Sequence, residues 1–105
     1  MMTHFNHPRE IDAEAGRALE RLANAGFPVM NHSVLMQGVN DDAVILSELC
    51  RKLVRHRARP YYLLQMDPVS GAGHLRTPLQ AGIELMEQLQ GRLSGIALPK
   101  LIVDT

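Results

Sequence analysis

Along this chain of 105 residues the apolar positions switch repeatedly between two rhythms, and that switching limits the fold more than any single residue does. Short runs rich in Val, Ile, Leu and Tyr read as strands. Longer runs with apolar residues at helical spacing read as helices. The order is strand, loop, helix, three times over, then a last strand. The first strand is short, Thr3 to Asn6, and stops at His7-Pro8. A helix follows over about Ile11 to Ala25, with Ile11, Ala15, Leu19 and Leu22 on one face and Gly26 placed to end it. The second strand covers about Val29 to Met36. Gln37-Gly38-Val39-Asn40-Asp41 is a loop, and Asp42 caps a helix over about Ala43 to His56 with a stripe of Ile45, Leu46, Leu49 and Leu53. The third strand spans about Arg59 to Met66. A long loop leads to Thr77-Pro78-Leu79-Gln80, a helix start with Thr as cap, Pro in the first turn and Gln80 as the capping-box partner. That helix runs to about Leu93 and is expected to bury Leu79, Ile83, Met86 and Leu89. Ser94-Gly95 stops it, and Leu98 to Val103 is the last strand.

Strands that alternate with helices at this spacing form βα units around a parallel sheet, an α/β fold with right-handed connections. The pattern fits a slice of a (β/α) barrel or a small open sheet. A slice leaves two bare sheet edges, so self-association through them is expected.

Eleven basic and eleven acidic side chains cancel, which argues against a nucleic acid or an acidic membrane as partner. The basic run from Arg51 to Arg59 reads as the last turn of a helix, where cations suit the macrodipole. A single cysteine, Cys50, sits beside Leu49 and Leu53. It reads as a small core residue in a reducing, cytoplasmic compartment. No apolar run is long enough to cross a membrane. The chain opens directly on what reads as a strand end, so a fragment of a longer domain is expected.

In parallel sheets ligands bind at the carboxyl ends of the strands. The polar residues expected there are His4, Asn6, His7, Asn31, His32, Asp67 and Asp104. Asp67 and Asp104 close neighbouring hydrophobic strands, and two carboxylates on one face can grip a cation. Singly, Asp67 before Pro68 also reads as a turn cap, and Asp104 as a chain end. His4, His7, His32 and His74 offer imidazoles, but no His-x-x-x-His or Cys-x-x-Cys pair supports a metal site. Gly71-Ala72-Gly73 lacks the Lys-Ser/Thr of a phosphate-binding loop and reads as a turn.

The blocks His4-Phe5-Asn6-His7-Pro8-Arg9-Glu10, Asn31-His32-Ser33-Val34-Leu35-Met36-Gln37-Gly38-Val39-Asn40-Asp41, Arg59-Pro60-Tyr61-Tyr62-Leu63 and Gly71-Ala72-Gly73-His74-Leu75-Arg76-Thr77-Pro78, with Asp67 and Ser94-Gly95, share one likeness. Together they resemble, in family order, the lysine 2,3-aminomutase family of radical S-adenosylmethionine enzymes. The resemblance implies the carboxyl-terminal part of a partial (β/α)6 TIM-like barrel, with residues 1–105 a fragment of that single domain. It implies an isomerase that moves the amino group of L-lysine between neighbouring carbons, using S-adenosylmethionine, a [4Fe–4S] cluster and pyridoxal phosphate. The family's two aspartates for the lysine side chain fall on Asp67 and Asp104. Positions near S-adenosylmethionine fall on His4 and on His32, where several members carry Gln. The resemblance gives no role to Asn6, His74 or Arg76. The three-cysteine cluster motif, the basic residues for the substrate carboxylate and cofactor phosphate, and the pyridoxal lysine have no counterpart here. The fragment alone is therefore expected to be inactive, within a homo-oligomeric parent. The alternatives are the relative that β-lysylates elongation factor P, and a non-catalytic module that binds a small amine.

Overall fold

The first two helices each begin on an aspartate. Asp12 Oδ1 accepts from Ala15 N at 2.8 Å, and Asp42 Oδ1 accepts from Val44 N at 2.7 Å. Each bond satisfies a donor that a helix start leaves free. The helices are α1, Ala13–Asn24, and α2, Ala43–Arg55. Both also end alike. Phe27 N bonds to Leu22 O and Gly26 N to Ala23 O; Ala58 N bonds to Leu53 O and Arg57 N to Val54 O. This is the Schellman arrangement, which needs a left-handed residue just past the helix. Gly26 supplies it at φ +92° without strain, whereas Arg57 adopts φ +67° against its Cβ. The Arg57 guanidinium donates to Asn24 Oδ1 at the end of α1. The exception thus joins the two helix ends.

The computed structural model describes residues 2–36, 38–66, 79–93 and 95–104; for residues 66, 79–81, 96, 103 and 104 it describes the backbone alone. The strands are β1, Met2–Thr3, β2, Met30–Val34, β3, Arg59–Met66, and β4, Lys100–Asp104. They form one parallel sheet in chain order. The third helix, α3, is Leu79–Gln90. Short 3₁₀ turns occupy Pro8–Glu10 and Gly95–Ala97. The ladder between β2 and β3 holds one irregularity: Asn31 pairs with Pro60 but His32 with Tyr62, so Tyr61 is an extra residue in β3. Tyr61 and Tyr62 both remain half-buried, and alternation resumes with Leu63 buried. A bulge of this kind resets which side faces in.

One side of the sheet is covered by helices; the other carries no helix among the described residues. Leu63 packs with Leu46 of α2 and with Leu85 and Leu89 of α3, joined by Leu35 and Ala43. Ile11, Leu19, Val29, Leu49, Leu53 and Ala58 form a second cluster between α1 and α2. Along β2, Asn31 and Ser33 are buried while Met30, His32 and Val34 are half-exposed. Among the described residues no helix is long and apolar enough to cross a membrane.

Three expectations change. The first strand is not Thr3 to Asn6; it ends at Thr3, because side-chain amides take over the backbone bonds of the residues that follow. The last strand starts at Lys100 rather than Leu98, after the 3₁₀ turn and Pro99, which has no N–H for a ladder. Ile83 does not face the core; it is 40% exposed. The face α3 turns to the sheet is Gly82, Leu85, Met86 and Leu89, so Met86 and Leu89 stand where expected and Gly82 and Leu85 take the place of Ile83. Leu79, the Thr77-Pro78 helix start and the loop before it lie outside the described residues or their side chains.

Gly82 marks where α3 meets β3 most closely: a methyl group built on it overlaps the carboxamide of Gln65, which is 1% exposed. Ala normally favours a helix over Gly by about 1 kcal/mol, while overpacking a core costs roughly 1–3 kcal/mol. Gly82→Ala is therefore expected to lower the urea midpoint by the equivalent of about 1 kcal/mol. Gly91→Ala, where the added methyl meets only the Gln88 carbonyl at 3.6 Å, should leave it nearly unchanged. A Gly82→Ala variant more stable than the parent would show that the helix can slide on the sheet.

Burial pushes the Cys50 thiol from an ordinary 9.0 up to about 12, with Arg51 pulling weakly the other way. Above about pH 9 the unfolded chain releases this proton and the folded chain keeps it, so stability falls from pH 9 toward 12. Urea unfolding at several pH values should show a shallower alkaline fall in Cys50→Ala. Iodoacetamide at pH 8 should label Cys50 only after unfolding; rapid labelling of the native chain would contradict its burial.

Candidate functional site at the strand ends

Asn31, 1% exposed, stands where β1 runs out. Its Oδ1 accepts from Phe5 N at 2.8 Å and from Thr3 Oγ1 at 2.9 Å; its Nδ2 donates to Phe5 O at 3.0 Å and Ser33 Oγ at 2.9 Å. Ser33 Oγ donates to the same Phe5 carbonyl at 2.7 Å. Asn6 Oδ1 accepts from Val34 N at 2.9 Å. Asn40, with no exposed surface, donates from Nδ2 to Asn6 O and Val34 O, both at 2.8 Å, and accepts at Oδ1 from Met36 N at 2.7 Å. Three asparagines thus satisfy the backbone where the two loops leave the sheet.

His7 is also structural. Its Nδ1 accepts from Arg9 N at 3.1 Å, while Glu10 Oε1 accepts from Asn6 N and His7 N, which closes a capping box over Pro8–Glu10. Of the residues expected at the carboxyl ends of strands, Asn31 and His32 instead lie within β2 as its second and third residues, and Asn6, His7 and Asn31 spend their side chains on the fold.

His4 and His32 do not. Their rings meet edge to face with centroids 5.8 Å apart, and His32 lies 4.7 Å from the ring of Tyr62, its partner across the β2–β3 ladder. Tyr61 packs 4.2 Å beyond and raises the Tyr62 phenol above its ordinary range, first by hydrogen bonding and then by charge. Nε2 of His32 is shielded from solvent and has no hydrogen-bond partner among the described residues. A buried imidazole nitrogen left so keeps one unmet hydrogen bond, which is uncommon in a folded chain. Lys100, exposed, pairs with Tyr62 and continues this row onto β4. Tyr62 is the member of the row that sequence reasoning passes over, since the bulge hides its alternation with His32. Asn40 is passed over because a loop asparagine looks solvated.

Asp104 lies further along the sheet. Its backbone pairs with Met66, four residues beyond Tyr62 on β3, which is about 13 Å up the strand. Asp104 and the end of β3 therefore share the carboxyl edge. Asp67 follows Met66 directly and lies outside the described residues, as do His74 and Arg76. Grooves of about 380 and 400 Å³ on the helical side, between α2 and α3, share no residue with the imidazole pair.

The residues present can be matched to the groups the resemblance implies. The face away from the helices, with its edge-to-face and tilted rings and the unpartnered His32 nitrogen, fits part of S-adenosylmethionine, an aromatic base joined to a polar chain. The chain does not fit an iron–sulfur cluster: it has one cysteine, which is buried, and among the described residues no three His, Cys, Asp or Glu side chains gather. Nor does it fit pyridoxal phosphate, because of its two lysines Lys52 is engaged with Pro8 O and Lys100 stands exposed at the far end of β4 from Asp104.

No protein-family model matches the chain. L-lysine 2,3-aminomutase of Clostridium subterminale is 51% identical over 97% of this chain, and glutamate 2,3-aminomutase of Clostridioides difficile is 45% identical over the same share. The chain spans about a quarter of the length of these curated relatives, 24% of each. A radical SAM methyltransferase from Sphaerobacter thermophilus superposes with a TM-score of 0.67 at 19% identity, covering 97% of this chain and 33% of that one, so the two share a fold. Over nearly its whole length, then, this chain is homologous to a segment of the L-lysine 2,3-aminomutases and carries the α/β fold of radical SAM enzymes.

Proposed function

We propose that this chain is the carboxyl-terminal part of the barrel of an L-lysine 2,3-aminomutase, an isomerase, and that it supplies the end of the site that holds the substrate's side chain. The observation that carries the proposal is the register of β4 on β3, in which Asp104 stands beside Met66, the residue before Asp67. In this reading the carboxylates of Asp67 and Asp104 bind the distal ammonium of lysine by charge-assisted hydrogen bonds and hold the reacting carbons at a fixed distance. His4 and His32 lie beside S-adenosylmethionine, and the unmet hydrogen bond at His32 Nε2 supports that reading. The iron–sulfur cluster and pyridoxal phosphate supply radical generation and amino-group stabilisation from the rest of the polypeptide. This chain's own residues bind, orient and exclude water; alone they are inactive. The compartment is the cytoplasm and the parent a homo-oligomer.

The test is Asp104→Asn, and separately Asp67→Asn, in the full-length enzyme. Truncating one partner of such a pair costs about 3 kcal/mol, so the KM for L-lysine should rise on the order of 100-fold with kcat less affected. Unchanged KM for either variant would end the reading. The glutamate-type relative is separated by assay on L-glutamate, and the elongation-factor type by assay on elongation factor P. Lysine binding by the isolated chain, seen calorimetrically without turnover by the parent, would favour the amine-binding module.

A further inference from the structure

The contact between His4 and His32 is made by a segment that has left the sheet. The β1–β2 ladder stops at the pair Thr3 and Asn31. His4 is the next residue, and the ring it presents is held 5.8 Å from that of His32. What replaces the ladder is one side chain. Asn31 Oδ1 takes a hydrogen bond from each side of His4, from Thr3 Oγ1 and from Phe5 N. Asn31 Nδ2 returns a bond to Phe5 O, so the carboxamide exchanges a donor and an acceptor with residue 5 as a neighbouring strand would. The backbone of Asn31 leads directly into His32. On a strand adjacent side chains point to opposite faces, which lets Asn31 grip from the buried side while His32 occupies the side away from the helices.

We infer that Asn31 is a positioning residue for the imidazole pair: its carboxamide fixes His4 against His32 on the ligand face. The inference rests on the proposed role of those imidazoles in binding S-adenosylmethionine. The chemistry demands an amide. Ala offers nothing to Phe5. Asp keeps the acceptor but removes both donors and buries a charge. Gln keeps both functions one methylene further out.

The test uses the full-length polypeptide with histidine-selective ¹³C labelling, its cluster removed. In the parent, a nuclear Overhauser effect links the His4 and His32 rings; in Asn31→Ala it is lost, and Asn31→Gln restores it in part. Affinity for S-adenosylmethionine, measured by equilibrium dialysis on the cluster-loaded protein, falls about tenfold in Asn31→Ala, as for a displaced contact. That penalty shrinks toward nothing in the His4→Ala background, because a residue acting through another is non-additive with it. Retention of the ring contact in Asn31→Ala, or simple addition of the two penalties, overturns the inference. If His4→Ala alone leaves affinity unchanged while Asn31→Ala still breaks the ring contact, the S-adenosylmethionine role falls and the positioning role stands. Should Asn31→Ala fail to fold, Ser33→Ala, which removes the second bond to Phe5 O and the Oγ to which Asn31 Nδ2 donates, is read by the same two measurements; no change in either overturns the inference.

Discussion

The strand ends of this sheet depend on carboxamides, buried at Asn31 and Asn40 and half-buried at Asn6, bonding to backbone. A parallel sheet must release its chain at one edge, and the released N–H and C=O groups still need partners. Here Asn31, Asn6 and Asn40 provide them from side chains in or beside the sheet. Each of these bonds gains about 1 kcal/mol when made, and its loss leaves a buried group unsatisfied at a cost of about 1–3 kcal/mol. Such a network is stiff for that reason: partial failure is worse than an apolar substitute. The stiffness is what allows a ring on a loop to keep a defined distance from a ring on a strand.

The two faces of the sheet divide the labour. The helix side is Leu, Ile and Ala, with Gly82 and Gly16 permitting close approach to Gln65 and His56. The side away from the helices carries His32, Tyr62 and the register position of Lys100. At an edge where amides have consumed the other polar side chains, the remaining imidazoles become the available ligand groups. His4 and His32 thus differ in kind from His7 and Asn31, although His4 and His7 leave the same strand and Asn31 and His32 are neighbours on β2.

Much of this was legible in the sequence. β3 has the bounds Arg59–Met66 that its apolar run implies, and α2 starts after Asp42 as its cap requires. Gly26 takes the left-handed conformation expected of it. What was hidden was tertiary. Residues 4–6 look like strand because their hydrogen bonds are strand-like, but a side chain makes them. Ile83 fits a helical stripe and still faces out, since two adjacent stripes on α3 are apolar and only packing chooses between them. His4 and His32 are far apart in sequence, and their edge-to-face contact follows from the register of β1 on β2, which no local pattern encodes. Asp104 is legible as a strand end, and its neighbour across the ladder is not.

The extra residue at Tyr61 has a consequence for inheritance. Strand side chains obey a parity rule, odd positions to one side and even to the other, and Tyr61 is the point where β3 changes parity relative to β2. After it the two strands run in step again, Ser33 on Leu63 and Val34 on Leu64, and β4 follows β3 by its own pairing. Loss of the Tyr61 codon alone would leave Asn31 on Pro60, His32 on Tyr62 and Ser33 on Leu63, so the ladder would close without its bulge and Leu63 and Gln65 would still face the helices. A lineage can therefore lose or gain a residue at this one place and keep the sheet's two faces, whereas the same change further along β3 would turn the rest of the strand over.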